Sequence, residues 1–379
     1  MHRITSIEKL TRATRAEISL DAIQHNLRQV RSRVGAGVKI MAVVKANAYG
    51  HGIIESTSAL LDAGADYLGV AILEEGILLR ERGIEAPILV FALPFPDQLE
   101  AFLHYSLETT VCTKETAEVL NAMSSSRGRP APVHIKIDTG MGRLGVDYRE
   151  AFELARYITS LNYLDLRGIY THFATADEKD KGFAERQLAR FHEVISTLTN
   201  SGIDVPLKHC ANSAAILDIK DSYYDMVRPG IMLYGYYPSH ETSESLPLRP
   251  ALSLRSKIAF LKRVETGTPV SYGRKYVTSG PTIIASVPIG YADGLNRNLT
   301  NRAEAIVQGH RYPVVGTVCM DHVMMDLGTS SGISIGDDVT FIGTDGGEGI
   351  TAWDIADKLG TIPYEVCCAI SERVPRVYL

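Results

Sequence analysis

No run of about eighteen uninterrupted apolar residues, the length that spans a bilayer, occurs in this 379-residue sequence. Met1–Arg15 is charged and polar and lacks the apolar centre of a secretory leader. Both absences point to a cytoplasmic chain with no membrane partner. Cysteine is scarce, with five residues, Cys112, Cys210, Cys319, Cys367 and Cys368. The number is odd and the closest pair is adjacent in sequence, which fits reduced thiols better than a disulfide framework. No Cys or His cluster has ligand spacing, so no metal is expected. Neither sign of charge dominates: 39 Lys and Arg stand against 44 Asp and Glu, a formal net charge of −5. That balance argues against nucleic acid as a partner. No Gly-x-Gly-x-x-Gly turn follows an early strand, which weakens a dinucleotide-binding open sheet.

What is present is a two-part pattern. The chain is too long for one ordinary domain. Up to residue 248, short apolar runs alternate with amphipathic stretches. The runs are Lys39–Lys45, Tyr67–Ile72, Pro87–Ala92, Leu107–Cys112, Val133–Asp138, Leu166–His172, Leu207–Asn212 and Tyr224–Gly230. Ile40-Met41-Ala42-Val43-Val44 is apolar at every position, as a parallel strand buried on both faces requires. Leu188, Phe191, Val194, Ile195 and Leu198 recur at helical spacing, and a second helix is predicted over Tyr148–Leu161. Gly64, Gly83 and Gly202 read as helix stops. Eight strand–helix units predict an α/β fold, a (β/α)8 TIM-type barrel over 21–248. Ala16–Leu20 alternates like a strand of a different sheet. It leads into a helix opening at Asp21, where Asp21 and Gln24 have capping-box spacing. Residues 1–20 are therefore a segment whose strand joins the second domain. From 249 to 379 short strands, one of them over Tyr312–Met320, and glycine turns predict a mostly β domain with little helix until Trp353–Leu359.

A barrel enzyme carries its chemistry at the C-terminal ends of its strands. Those ends here carry Lys45, Asp138 leading to Arg143, His172, Asn212-Ser213 and Arg228-Pro229-Gly230-Ile231. A lysine directly after an apolar strand is costly to bury. Burial lowers its pKa and frees the amine for Schiff-base chemistry. A lone strand-end lysine is more often a surface residue, but Gly50 and Gly52 allow close backbone approach here. Ser213, with the amides of Gly230 and Ile231, supplies donors where barrels often bind phosphate. Each of these residues has a plainer reading as cap, turn or core residue. Their joint placement is what suggests a site.

The segment Val43-Val44-Lys45-Ala46-Asn47-Ala48-Tyr49-Gly50-His51-Gly52 resembles the cofactor-lysine motif of the alanine racemases, fold-type III pyridoxal-phosphate enzymes. The resemblance continues in order through 136–145, Thr171-His172-Phe173-Ala174, Asn212-Ser213-Ala214 and Arg228–Ile231. It then covers Gly290-Tyr291-Ala292-Asp293-Gly294, Val318-Cys319-Met320-Asp321 and Pro363-Tyr364-Glu365. It implies pyridoxal 5'-phosphate bound through Lys45, with Lys45 and Tyr291 as opposing bases. Tyr291 is expected to reach the site from the partner subunit of a homodimer with shared active sites. The resemblance further implies phosphate contacts from Tyr49, Ser213, Gly230, Ile231 and Tyr364, with Asn212 and His172 beside the cofactor. Arg228 is expected at the pyridine nitrogen and Arg143 at the phenolic oxygen. Arg143, Met320 and Asp321 are expected to receive the substrate, and Lys136 to be carbamylated. The activity implied is interconversion of L- and D-alanine, supplying D-alanine for peptidoglycan. A serine-type racemase and a non-catalytic cofactor-binding protein are the competing readings. A second base argues against the latter, because storing a cofactor needs none.

Overall fold

The computed structural model describes residues 12–329 and 332–379, so most of Met1–Arg15 lies outside the described residues. The chain forms two compact units. One comprises Ala22–Ala48 and Ile53–Arg249; the other comprises the segment ending at Asp21, Tyr49–Gly52 and Pro250–Leu379.

The first strand, β1 (Arg15–Ile18), belongs to the second of these units. The other unit is built on β2 (Lys39–Val43), β3 (Tyr67–Val70), β4 (Ile88–Val90), β5 (Glu108–Val111) and β6 (Ala131–Asp138). After a two-residue strand, β7 (Val146–Asp147), come β8 (Leu164–Tyr170), β9 (Leu207–His209) and β10 (Met226–Val227). Eight of these pair in parallel in the order β10-β2-β3-β4-β5-β6-β8-β9. The ring closes through Arg228 N–H to Ala211 O at 2.9 Å and Asp225 N–H to Lys208 O at 3.1 Å. Met41, Tyr67, Leu89, Tyr170, Leu207 and Met226 meet inside it, one side chain from each of six strands. That is the filled interior of a near-closed TIM-type barrel.

Helices follow the strands, and their apolar faces match the sequence pattern. Gly182–Asn200 buries Phe191, Val194, Ile195 and Leu198, while Leu188 is half-buried and Gln187 is fully buried. Gln187 is inside because its amide is satisfied: it donates to His172 O at 3.1 Å and accepts from Ala174 N–H at 2.9 Å. The helix after β1 begins at Leu20, so Asp21 lies in its first turn and not at the cap. Gly64, Gly83 and Gly202 all have positive φ, as helix-ending glycines do.

The other unit is mostly β. Its main sheet contains β11 (Leu252–Lys257), β12 (Phe260–Val264), β15 (Thr282–Val287), β16 (Glu304–Val307), β17 (His310–Val315), β18 (Val323–Asp326), β19 (Asp338–Asp345) and β21 (Arg376–Tyr378). The order is β12-β15-β18-β17-β16-β19-β11-β1-β21, with β20 (Glu348–Ile350) on β19. A separate ribbon pairs β13 (Pro269–Val270) with β14 (Tyr276–Val277). β1 runs antiparallel to β11 and parallel to β21. One expectation needs correction: the strand predicted over Tyr312–Met320 ends at Val315. A second helix, Pro363–Cys368, follows Ala352–Leu359. Pro363 starts that helix, where its missing N–H costs nothing.

Candidate active site

The barrel strands deliver their expected residues to one end, and the local structure behind Lys45 is unusual. Ala46, Asn47, Ala48 and Tyr49 have φ between 52° and 53°, one turn of left-handed helix without a glycine. Such a turn costs roughly 1–2 kcal/mol per residue and persists only where its surroundings hold it. Glu75 provides one brace: its carboxylate accepts the N–H groups of Ala46 at 2.6 Å and Ala71 at 2.8 Å. Asn47 provides another, accepting from Ile53 N–H at 2.8 Å. The two glycines that follow are needed for protein packing. A Cβ on Gly50 would lie 2.2 Å from Cys367 O, and one on Gly52 would lie 1.9 Å from the Tyr378 hydroxyl. Their closeness to other protein atoms is thus the reason for the pattern read around Lys45.

Arg228, just past β10, is a buried hub. Nη1 donates to His209 O at 2.8 Å and lies 3.0 Å from His209 Nδ1. Nη2 donates to Thr171 O at 2.7 Å and Cys210 O at 3.2 Å, and lies 3.3 Å from His172 Nδ1. Burial lowers its pKa to about 10, which still leaves a cation at neutral pH. Lys136 lies over the Tyr170 ring at 4.5 Å. Burial, then the charges of Arg228 and Arg143, hold Lys136 well below the ordinary lysine value. Burial and the cations Arg228, Lys136, Arg143 and Lys45 likewise depress His172. The barrel end therefore gathers four basic side chains. Asp138 does not pair with Arg143. Its carboxylate caps the loop by accepting Gly140 and Gly142 N–H groups at 2.8 and 3.0 Å.

Ser213 and Gly230 come together. The Ser213 hydroxyl accepts Gly230 N–H at 2.8 Å. Asn212 is the helix cap, accepting Ala215 N–H at 3.0 Å, so the cap is not Ser213. Ile231 opens the turn Ile231–Tyr234 directly after Gly230.

The β-rich unit holds the remaining candidates. Tyr49 and Tyr364 rings lie 5.9 Å apart. Tyr291 opens a short turn whose N–H groups bond to the next loop: Tyr291 to Cys319 O at 3.0 Å and Ala292 to Met320 O at 3.1 Å. Tyr291 is 41% exposed and Met320 51%. Asp321 pairs with Arg373 at 2.8 Å. Asp293, fully buried, is held by Arg12 at 2.5 Å. A residue missed in the sequence stands beside this loop. Tyr272 is 72% exposed, and the residue before it, Ser271, has φ of 65°. Nothing in Val270-Ser271-Tyr272-Gly273 marks that strain, since serine is not a residue that signals positive φ.

Comparison with known proteins agrees with this architecture. Residues 18–238 match the family model described as alanine racemase, N-terminal domain, and 251–378 match alanine racemase, C-terminal domain. The chain is 46% identical over 371 residues to an alanine racemase of Halothermothrix orenii, covering 98% of each. It is 46% identical to alanine racemase 2 of Caldanaerobacter subterraneus, covering 97% of this chain and 95% of that one. A solved alanine racemase of Clostridium difficile superimposes with TM-score 0.94 at 43% identity, covering 98% of this chain and 97% of the other. The barrel, the β-rich unit and these matches define the class: an amino-acid racemase. Within that class, the chain belongs to the alanine racemase family.

Proposed function

We propose that the protein interconverts L- and D-alanine with pyridoxal 5'-phosphate held through Lys45, acting as a cytoplasmic source of D-alanine for peptidoglycan. Among the described residues no helix is long and apolar enough to cross a membrane. The observation that carries the reading is the barrel end itself. Arg228 is buried and, among the described residues, bonds carbonyls and imidazoles and no carboxylate, beside Lys45, Lys136 and Arg143. A donor set this cationic suits an anionic, phosphate-bearing cofactor.

In this reading Ser213, Gly230, Ile231, Tyr49 and Tyr364 would hold the phosphate, with Asn212 fixing the turn that presents Ser213. Arg143 would meet the phenolic oxygen, and Arg228 the ring nitrogen. When bound, the cofactor supplies an electron sink that acidifies the Cα–H of an amino acid. Arg228, a cation at neutral pH, would disfavour a proton on the ring nitrogen and so limit that sink, which would suppress transamination. Met320 and Asp321 would border the substrate carboxylate with Arg143. Lys45 Nζ would take the α-proton on one face while a tyrosine hydroxyl returns one on the other, and the roles exchange for the reverse reaction.

The tyrosine has two candidates on the β-rich unit. The family resemblance assigned Tyr291. The backbone favours Tyr272, since strained non-glycine residues concentrate where a side chain must be aimed. Exposure of Tyr272, Tyr291 and Met320 supports a homodimer in which one subunit's β-rich unit serves the other's barrel. Borohydride reduction of the pyridoxal-phosphate-loaded protein, followed by peptide mapping, tests the anchor. Label on Lys45 is expected; label on another lysine overturns it. Racemisation assays across L-alanine and L-serine test the substrate.

A further inference from the structure

We infer that Glu108 is a positioning residue for Arg228, acting through His134 and His209 as a one-directional chain of hydrogen bonds along the barrel core. The inference rests on the reading above only in giving Arg228 its work.

Glu108 starts β5 and Arg228 follows β10, so the chain runs from the beginning of one barrel strand to the end of another. Its links are Arg228 Nη1 to His209 Nδ1 at 3.0 Å, His209 Nε2 to His134 Nδ1 at 3.1 Å, and His134 Nε2 to Glu108 Oε2 at 2.7 Å. All four side chains are buried.

The direction follows from donor and acceptor inventories. A guanidinium only donates, so His209 Nδ1 must accept. A neutral His209 then carries its proton on Nε2 and donates to His134 Nδ1. His134 in turn carries its proton on Nε2 and donates to the carboxylate. A doubly protonated His134 would point one N–H at another across 3.1 Å. Burial and the neighbouring Arg228 charge keep His209 well below the ordinary imidazole value, in line with a neutral ring. Every hydrogen thus points from the cation toward the anion, and each link polarises the next.

The fold makes room for this arrangement. The β6–β8 register shifts between Val133 and His134, placing His134 opposite Gly168. A Cβ on Gly168 would lie 2.1 Å from His134 Nδ1, so no larger residue fits with the ring where it is. Tyr170 stacks on His209 with ring centroids 4.8 Å apart and planes within 4°, which fixes the plane of the His209 ring. Three buried polar side chains in barrel strands are costly unless fully bonded. Arg228 is a buried cation whose carboxylate lies two imidazoles away.

The test has two parts on the full-length protein. In the wild type, 15N imidazole spectra should show His134 and His209 as Nε2–H tautomers, with or without pyridoxal phosphate. An Nδ1–H tautomer at either ring overturns the chain without need of a variant. Glu108→Gln keeps the shape and removes the charge. The expected result is a shift of both imidazole signals, a changed absorption maximum of the bound cofactor, and a roughly tenfold lower kcat. KM should stay within about twofold of wild type. Glu108→Asp, which retains the charge, should recover part of the loss. Wild-type imidazole signals and kcat in Glu108→Gln would refute the inference while leaving the racemase reading intact. A wild-type protein that holds no pyridoxal phosphate would refute that reading instead, and the tautomer measurement would still stand.

Discussion

The Thr317 hydroxyl donates to the Tyr272 carbonyl at 2.7 Å, and the Ser271 hydroxyl donates back to the Thr317 carbonyl at the same distance. This reciprocal clasp holds Ser271 at positive φ and presents an exposed phenol. It separates the two tyrosine candidates by experiment. Tyr272→Phe should lower kcat by about a thousandfold with the cofactor retained, in the upper part of the range of general acid–base effects. Tyr291→Phe should cost about tenfold or less. The reverse ranking, read from initial racemisation rates in both directions, would return the base to Tyr291.

Burial and the charges of Arg228 and Arg143 favour the neutral amine form of Lys136, and a neutral amine reacts with carbon dioxide to give a carbamate and a proton. The product would place a negative charge among Arg228, Arg143 and Lys45, where it is favoured. Native mass spectrometry in bicarbonate should show the added mass, and Lys136→Ala should lose it. An unmodified lysine at high bicarbonate would rule the modification out.

How much of this was legible in the sequence depended on the kind of signal. Barrel strands are apolar on both faces, so Ile40–Val44 and its counterparts stood out, and each predicted run overlaps an observed strand. Strand ends were read too long at Lys45 and His172: the first strand ends at Val43 and the other at Tyr170. The loop role of Asp138, whose carboxylate accepts the Gly140 and Gly142 N–H groups, left no mark in the sequence beyond its place at a strand end. Glu108, His134 and His209 each sat inside a correctly read strand. Their association was hidden because 26 and 75 residues separate the bonded pairs, and one histidine in an apolar run reads as core.

Acid should destabilise the fold through its buried imidazoles. His209 is held neutral in the folded chain, whereas an unfolded histidine titrates near 6.5. Below about pH 6.5 the unfolded state binds more protons than the folded one, so stability falls as pH falls. The slope is about 1.4 kcal/mol per pH unit for that one proton, and His172 adds a smaller share because it is partly exposed. Urea denaturation between pH 7 and 5 measures this, and a midpoint independent of pH across that window would contradict it.

Gly290 should tolerate no side chain. A Cβ there would lie 2.2 Å from Met320 O, against backbone that cannot swing aside. Gly290→Ala should cost about 2 kcal/mol or more by pushing the two loops apart. It should also lower activity, since Tyr291 and Met320 sit on those loops. Thermal melting and steady-state kinetics together check both effects.

The screw sense behind Lys45 inverts a familiar rule of protein engineering. In an ordinary helix, replacing alanine with glycine weakens the structure by about 1 kcal/mol. At Ala46 and Ala48 the backbone already occupies territory that only an achiral residue visits freely. Glycine there should leave the melting temperature unchanged or raise it. In the proposed reading the same exchange would let Lys45 wander, so the protein would keep or gain heat tolerance while losing grip on the cofactor.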